Sequence, residues 1–227
     1  INSKDIISPI GVYDSGVGAL TVIPSLQRYM PKENWLVLSD NANVPYGDKS
    51  SDQIIECSFN CIKRLQKHGV KAVVVACHTS SAFAVDVLQK EFDFPIIGML
   101  YPTAFGIASF YQKKDVIWLA TNASINADKV EPLARSLGYL GDFHAIACKG
   151  WVESIEKGLH KKDLGFQNQV QEILSPYLQI LSQKKAVVLY GCTHYPWVEP
   201  IITQKLCLPV QCINPADWVG VFCRKKL

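Results

Sequence analysis

Eight short apolar runs, rich in β-branched and aromatic residues and separated by segments long enough for a helix, constrain this chain more than any other feature. They read IGVYD at 10–14, WLVLS at 35–39, AVVVA at 72–76 and PIIG at 95–98, then VIWLA at 116–120, FHAIA at 143–147, AVVLY at 186–190 and PVQCI at 209–213. Runs of this kind suit strands buried on both faces, as in a parallel sheet covered by helices. The intervening stretches carry helix signals. Ser50 and Gln53 have capping-box spacing, Ile54, Cys57, Cys61 and Leu65 form one apolar stripe, and Gly69 follows a basic last turn. A similar stripe over 167–183 contains Pro176, which predicts a kink or a split. Strand alternating with helix predicts an α/β fold with right-handed crossovers and largely parallel sheets.

The third and seventh runs end alike. VVVACHTSS (73–81) and VVLYGCTHYP (187–196) each place a cysteine after a strand, with a threonine and a histidine nearby. Open α/β sheets hold their ligands at such strand ends. The repeat therefore predicts two similar α/β domains, with Cys77 and Cys192 meeting across the cleft between them.

Composition narrows the function classes. A chain of 227 residues that is 48% hydrophobic can bury a sizeable core. Its charge of +3 comes from 23 basic and 20 acidic side chains that are interspersed, with no basic stripe to favour nucleic acid. No apolar run approaches the roughly 18 residues of a membrane span, and the opening INSKDIISP lacks the basic start and apolar centre of a secretory signal. The expectation is a soluble protein with no membrane partner, and a first residue other than Met leaves room for a lost leader. The eight cysteines include no CxxC pair and are read as reduced thiols, with Cys57 and Cys61 as core packing.

The loop after the first run reads DSGVGALT. Gly16 and Gly18, with Asp40 after the next run, sketch a dinucleotide fingerprint, but Thr21 stands where the third glycine belongs and no Walker lysine follows. Two readings stay open: a structural turn, or a loop whose glycines permit close approach while Asp14 and Ser15 reach the cleft. Cys77, His78, Cys192 and His194 total four zinc-type ligands, yet adjacent residues chelate poorly. Acid–base chemistry by two thiols fits better, because a free cysteine titrates near ~8.5 and its surroundings can poise one thiol and one thiolate. Two such groups on opposite sides of a carbon can remove a proton from one face and deliver one to the other, with neither cofactor nor metal. His194 is placed to tune or relay the Cys192 proton. Thr79 and Thr193 offer hydroxyls and N–H groups to a carboxylate, and helix capping accounts for them equally. In VPYGDKS (44–50), Tyr46 either presents its hydroxyl to a ligand or belongs to a plain turn.

DSGVGALTV, DNANVPYGDKS, VVACHTSSA and LYGCTHYPWVEPII, in this order and spacing, resemble the glutamate racemases of the aspartate/glutamate racemase superfamily over nearly the whole chain. The resemblance implies a first domain of residues 1–99 plus 209–227 and a second of 100–208, with substrate between them. It implies that Cys77 and Cys192 are the catalytic thiols, acting on D- and L-glutamate respectively, with Asp14 beside the first and His194 and Glu156 supporting the second. Ser15, Pro45, Tyr46, Gly47, Thr79, Thr121 and Thr193 fall on substrate-contact positions, and Asp40 on an acid near the site. His78 replaces an asparagine that helps bind substrate, and Ser124 keeps one of the pocket hydroxyls that Ala127 and Val130 lack. Ala19, Asn43 and Lys149 are further departures from the pattern. The resemblance also implies a cytoplasmic, cofactor-independent enzyme supplying D-glutamate for peptidoglycan, with a homodimer as a partner state to test. The departures keep open an aspartate-type or other acidic substrate, and a weakly active racemase-like binding protein.

Overall fold

The computed structural model describes residues 8–227. All eight apolar runs contribute strands: β1 (Ile10–Asp14), β2 (Trp35–Ser39), β3 (Ala72–Val75), β4 (Ile96–Gly98), β5 (Asp115–Ala120), β6 (Phe143–Ala147), β7 (Ala186–Gly191) and β8 (Cys212–Ile213). They form two four-stranded sheets, ordered β2-β1-β3-β4 and β6-β5-β7-β8, and every pair is parallel. The second sheet repeats the strand order of the first. The order in which strands are added reverses between β1 and β3 in the first sheet and between β5 and β7 in the second, the position where open parallel sheets form a crevice at their strand ends.

Burial explains the continuous apolar runs. In the first sheet Ile10, Val12, Ala72 and Val74 pack into one core, while Tyr13, Val73 and Val75 pack into another on the opposite face. In the second sheet Ile117, Leu119, Val188 and Tyr190 face one core, and Val116, Trp118, Val187 and Leu189 face the other. Side chains alternate between faces along a strand, so a two-faced sheet needs apolar residues at both parities.

The helix signals also resolve. Ser50 Oγ accepts from the Gln53 N–H at 3.3 Å while Gln53 Oε1 accepts from the Ser50 N–H at 3.0 Å, closing the capping box of the helix Ser51–Lys67. Gly69 adopts φ +70°, the left-handed turn that ends it. Pro176 divides the later segment into a helix Leu164–Leu174, a 3-10 turn Ser175–Tyr177 and a helix Leu178–Ser182. Cys61 is buried in the core beneath this helix, and the partly buried Cys57 packs against the same cluster, as expected.

The chain leaves the second sheet later than expected. The resemblance implies a first domain that includes the run at 209–213, yet Val188 pairs with Cys212 and Leu189 with Ile213, which makes β8 the edge strand of the second sheet. The C-terminal helix Ala216–Lys226 then touches both cores. Its Val219 and Cys223 pack with β1 and β3 residues, whereas Trp218 lies over Gly106 and packs with the second-sheet cluster. Among the described residues, no helix is long and apolar enough to cross a membrane.

Candidate active site

Four strand ends converge. β1 ends in Asp14; β3 leads through Ala76 to Cys77, which caps the helix His78–Phe83; β5 leads to Thr121, which caps the helix Asn122–Asn126; and β7 leads to Cys192. Cys77 Sγ accepts from the Ser80 N–H at 3.4 Å and Thr121 Oγ1 from the Ser124 N–H at 3.2 Å. Both Cys77 and Cys192 line one narrow cleft, with Ser15, Tyr46, Gly47, His78, Thr79, Thr121, Val152 and His194. The two thiols come from different sheets, and both are buried.

Hydrogen bonds tie the halves across this cleft. Thr79 Oγ1 lies 2.9 Å from Thr121 Oγ1 and 3.2 Å from Ser124 Oγ. Thr193 Oγ1 donates to Asp14 Oδ1 at 3.1 Å, and Thr21 Oγ1 donates to the Thr193 carbonyl at 2.8 Å. The Val17 N–H donates to Glu156 Oε1 at 2.9 Å, and the Ala123 N–H to the Gly47 carbonyl at 3.1 Å. The glycines of DSGVG serve this contact: a Cβ on Gly16 would sit 2.0 Å from Glu156 Oε1, and one on Gly18 would sit 2.1 Å from Thr193 Oγ1. Their value here is space, with the second half of the chain filling the place of the missing side chains.

The two thiols sit in different electrostatic surroundings. Burial and the Asp14 charge push the Cys77 thiol up to about 11, opposed by hydrogen bonds from Ser15 and Ser80. Burial also raises Asp14 to about 6, against the pull of His194, the Gly16 N–H and the Thr193 hydroxyl. Beside Cys192, His194 Nδ1 is 3.5 Å from the sulfur and Nε2 is 2.6 Å from Glu156 Oε1. Burial disfavours an imidazolium there, but Cys192, Glu156 and Asp14 outweigh it and raise His194 to about 10. The His194 hydrogen bond and the Val17 N–H hold Glu156 below its ordinary value, against its partial burial. His78, by contrast, is pushed down to about 3 by burial, so its ring is neutral near pH 7, and neither ring nitrogen has a hydrogen-bond partner.

Residues 21–219 match the family described as Asp/Glu/Hydantoin racemase. The chain belongs to that family. A glutamate racemase from a Picosynechococcus species is 35% identical over 211 residues, covering 93% of this chain and 74% of the relative. The crystal structure of glutamate racemase isoform RacE1 from Bacillus anthracis superposes with a TM-score of 0.86 at 30% identity, covering 98% of this chain and 82% of that one. That of the Francisella tularensis glutamate racemase in complex with D-glutamate gives 0.82 at 28% identity, covering 97% and 81%.

Within this member of the racemase family the expected site residues take four positions. Ser15, Tyr46, Gly47, Cys77, His78, Thr79, Thr121, Cys192 and His194 line the cavity itself. Asp14, Thr193, Ser124 and Glu156 stand behind it, bonded to its walls, and Pro45 lines an adjoining pocket with Cys148 and Lys149. Asp40 lies outside: it accepts from the Tyr46 hydroxyl at 2.6 Å and faces a surface groove. Val152, Thr21, Tyr13 and Ser80 belong to the site or its supports and were not anticipated. Val152 is an apolar residue in a helix with no chemical signal, whereas Ser80, at the third position of the helix capped by Cys77, was open to the capping argument. Among the described residues no three His, Cys, Asp or Glu side chains group as a metal site.

Proposed function

We propose that this chain racemises glutamate by a two-base mechanism in which Cys77 and Cys192 exchange the α-proton from opposite faces of the substrate. One observation carries the reading: two thiols from separate sheets line the same cavity, one beside an acid and the other beside an imidazolium. With L-glutamate, Cys192 takes the α-proton, with the His194 imidazolium next to its sulfur, and Cys77 delivers a proton to the other face. Weak acidity, from burial and the Asp14 charge, suits Cys77 to wait as the protonated thiol. With D-glutamate the two exchange roles.

Hydroxyls of Ser15, Thr79 and Thr121 line the cavity as donors to the carboxylate, whose carbanion-like state needs preorganised stabilisation. Neutral His78 adds one donor and one acceptor without a protein partner, a match for adjacent carboxylate and ammonium groups. Glutamate as substrate follows from the relatives, which include an enzyme crystallised with D-glutamate. The same reading makes it a cytoplasmic enzyme supplying D-glutamate for peptidoglycan, working without pyridoxal phosphate or metal, with a homodimer to be looked for by light scattering.

The test is proton NMR of L-glutamate with the purified protein in D₂O, without added cofactor, alongside a chiral assay. Loss of the α-proton signal with appearance of D-glutamate supports the reading. Exchange with aspartate alone would reassign the substrate, and exchange with neither would remove the racemase activity.

A further inference from the structure

Behind Cys77 runs a chain of buried hydroxyls that the reaction above does not use. Tyr46 Oη donates to Asp40 Oδ2 at 2.6 Å, and Tyr13 Oη donates to Tyr46 Oη at 2.9 Å. Tyr13 Oη also lies 3.2 Å from Ser58 Oγ and 3.3 Å from Ser80 Oγ. All four hydroxyl residues are buried. Ser80 closes the chain on the thiol, its N–H donating to Cys77 Sγ at 3.4 Å.

A hydroxyl has one proton to give, so fixing one end of such a chain sets its direction. A carboxylate accepts only, and Tyr46 therefore spends its proton on Asp40. The Tyr46 oxygen then receives from Tyr13, whose proton is spent in turn. Ser58 is occupied with the Ile54 carbonyl at 2.6 Å. Of this group, Ser80 alone has a proton for the Tyr13 oxygen. A Ser80 O–H aimed at the sulfur would favour the thiolate; spending that proton on Tyr13 removes the pull.

We propose that Asp40 is a positioning residue whose carboxylate orients the Tyr46, Tyr13 and Ser80 hydroxyls so that Cys77 is held as the proton-bearing thiol. The proposal rests on Cys77 being an acid–base group, as argued above. Asp40 acts from outside the cavity, on a groove that it shares with Lys49, Glu56, Cys61, Lys63, Arg64 and Lys67. Asp14 and Ser15 also bear on Cys77 directly, and substitutions at Asp40 leave them in place.

The experiment is a pH titration of protein carrying [3-¹³C]cysteine, followed by NMR, with the Cys77 signal assigned by its loss in Cys77→Ser. In Asp40→Ala the chain is free to reverse, and the acid constant of Cys77 should rise about tenfold, a midpoint lower by about one pH unit. Tyr13→Phe cuts the chain between Tyr46 and Ser80 with Asp40 still present, and should lower the midpoint by a similar amount. Asp40→Glu keeps an accepting carboxylate and should stay close to the parent. An unchanged or raised midpoint in Asp40→Ala overturns the role of Asp40, and the same result in Tyr13→Phe overturns the hydroxyl chain. The readout is thiol titration, so it succeeds or fails independently of the racemase assay.

Discussion

Thr193 Oγ1 donates to Asp14 Oδ1 at 3.1 Å, so the residue following one thiol holds the carboxylate that bears on the other. The two halves of the site are therefore chemically coupled as well as packed together. Thr193→Val deletes one of the donors that offset burial of Asp14. Asp14 should then titrate higher than about 6, and the acid limb of kcat/KM should move upward with it. A pH–rate profile superimposable on that of the parent would count against the coupling.

The unsubstituted enzyme should give a bell. Asp14 loses its proton through about 6 and His194 through about 10, and the pairing described above exists between them. Stability follows a definite sign. His194 is raised from 6.5, so its contribution is complete below 6.5 and is lost as pH climbs through about 10. Asp14 is raised from 3.8, so the folded state loses ground between 3.8 and about 6 as well. Thermal unfolding across this range, in parent and in His194→Asn, should show the alkaline decline flattened in the variant.

Cys77→Ser and Cys192→Ser should each lower racemisation by at least ~10²-fold, the scale of a lost acid–base group. Chiral assay of each variant in both directions checks this. If both serine variants interconvert the enantiomers like the parent, the two-thiol mechanism is wrong.

Gly16→Ala would place a methyl group 2.0 Å from Glu156 Oε1. Something must move, and the carboxylate at the free end of Glu156 is the mobile partner. Displacing it breaks the contact with His194 Nε2, so kcat/KM should fall and the alkaline limb should shift below about 10. Steady-state kinetics as a function of pH would reveal both effects.

Much of the architecture was legible because parallel strands buried on two faces leave an unusual mark: AVVVA and VIWLA have no polar residue on either face. The cysteines could be placed at strand ends for the same reason. Connections between distant residues were not legible. Nothing local in WVESIE marks Glu156 as the partner of His194, or Val152 as a wall of the cavity. Asp40 shows the limit clearly, since a carboxylate after a strand suggests a ligand contact, while its actual bond to Tyr46 depends on how the VPYG turn folds back. The resemblance implies a first domain that includes PVQCI, whereas the run itself fixes a strand's burial and leaves its neighbour undetermined, and that neighbour is β7.

The shared order of the two sheets has a meaning for the reaction itself. Substrate and product of a racemisation are mirror images, so in water the equilibrium constant is one and neither direction is downhill. A catalyst for such a process gains by presenting comparable machinery to each enantiomer. Repeating a fold is a direct way to supply it: the turn after β3 and the turn after β7 each offer a thiol, and what differs is the company each keeps. The neighbours are unequal, an acid for Cys77 and an imidazole for Cys192, so the two proposed thiols meet one substrate carbon in different company.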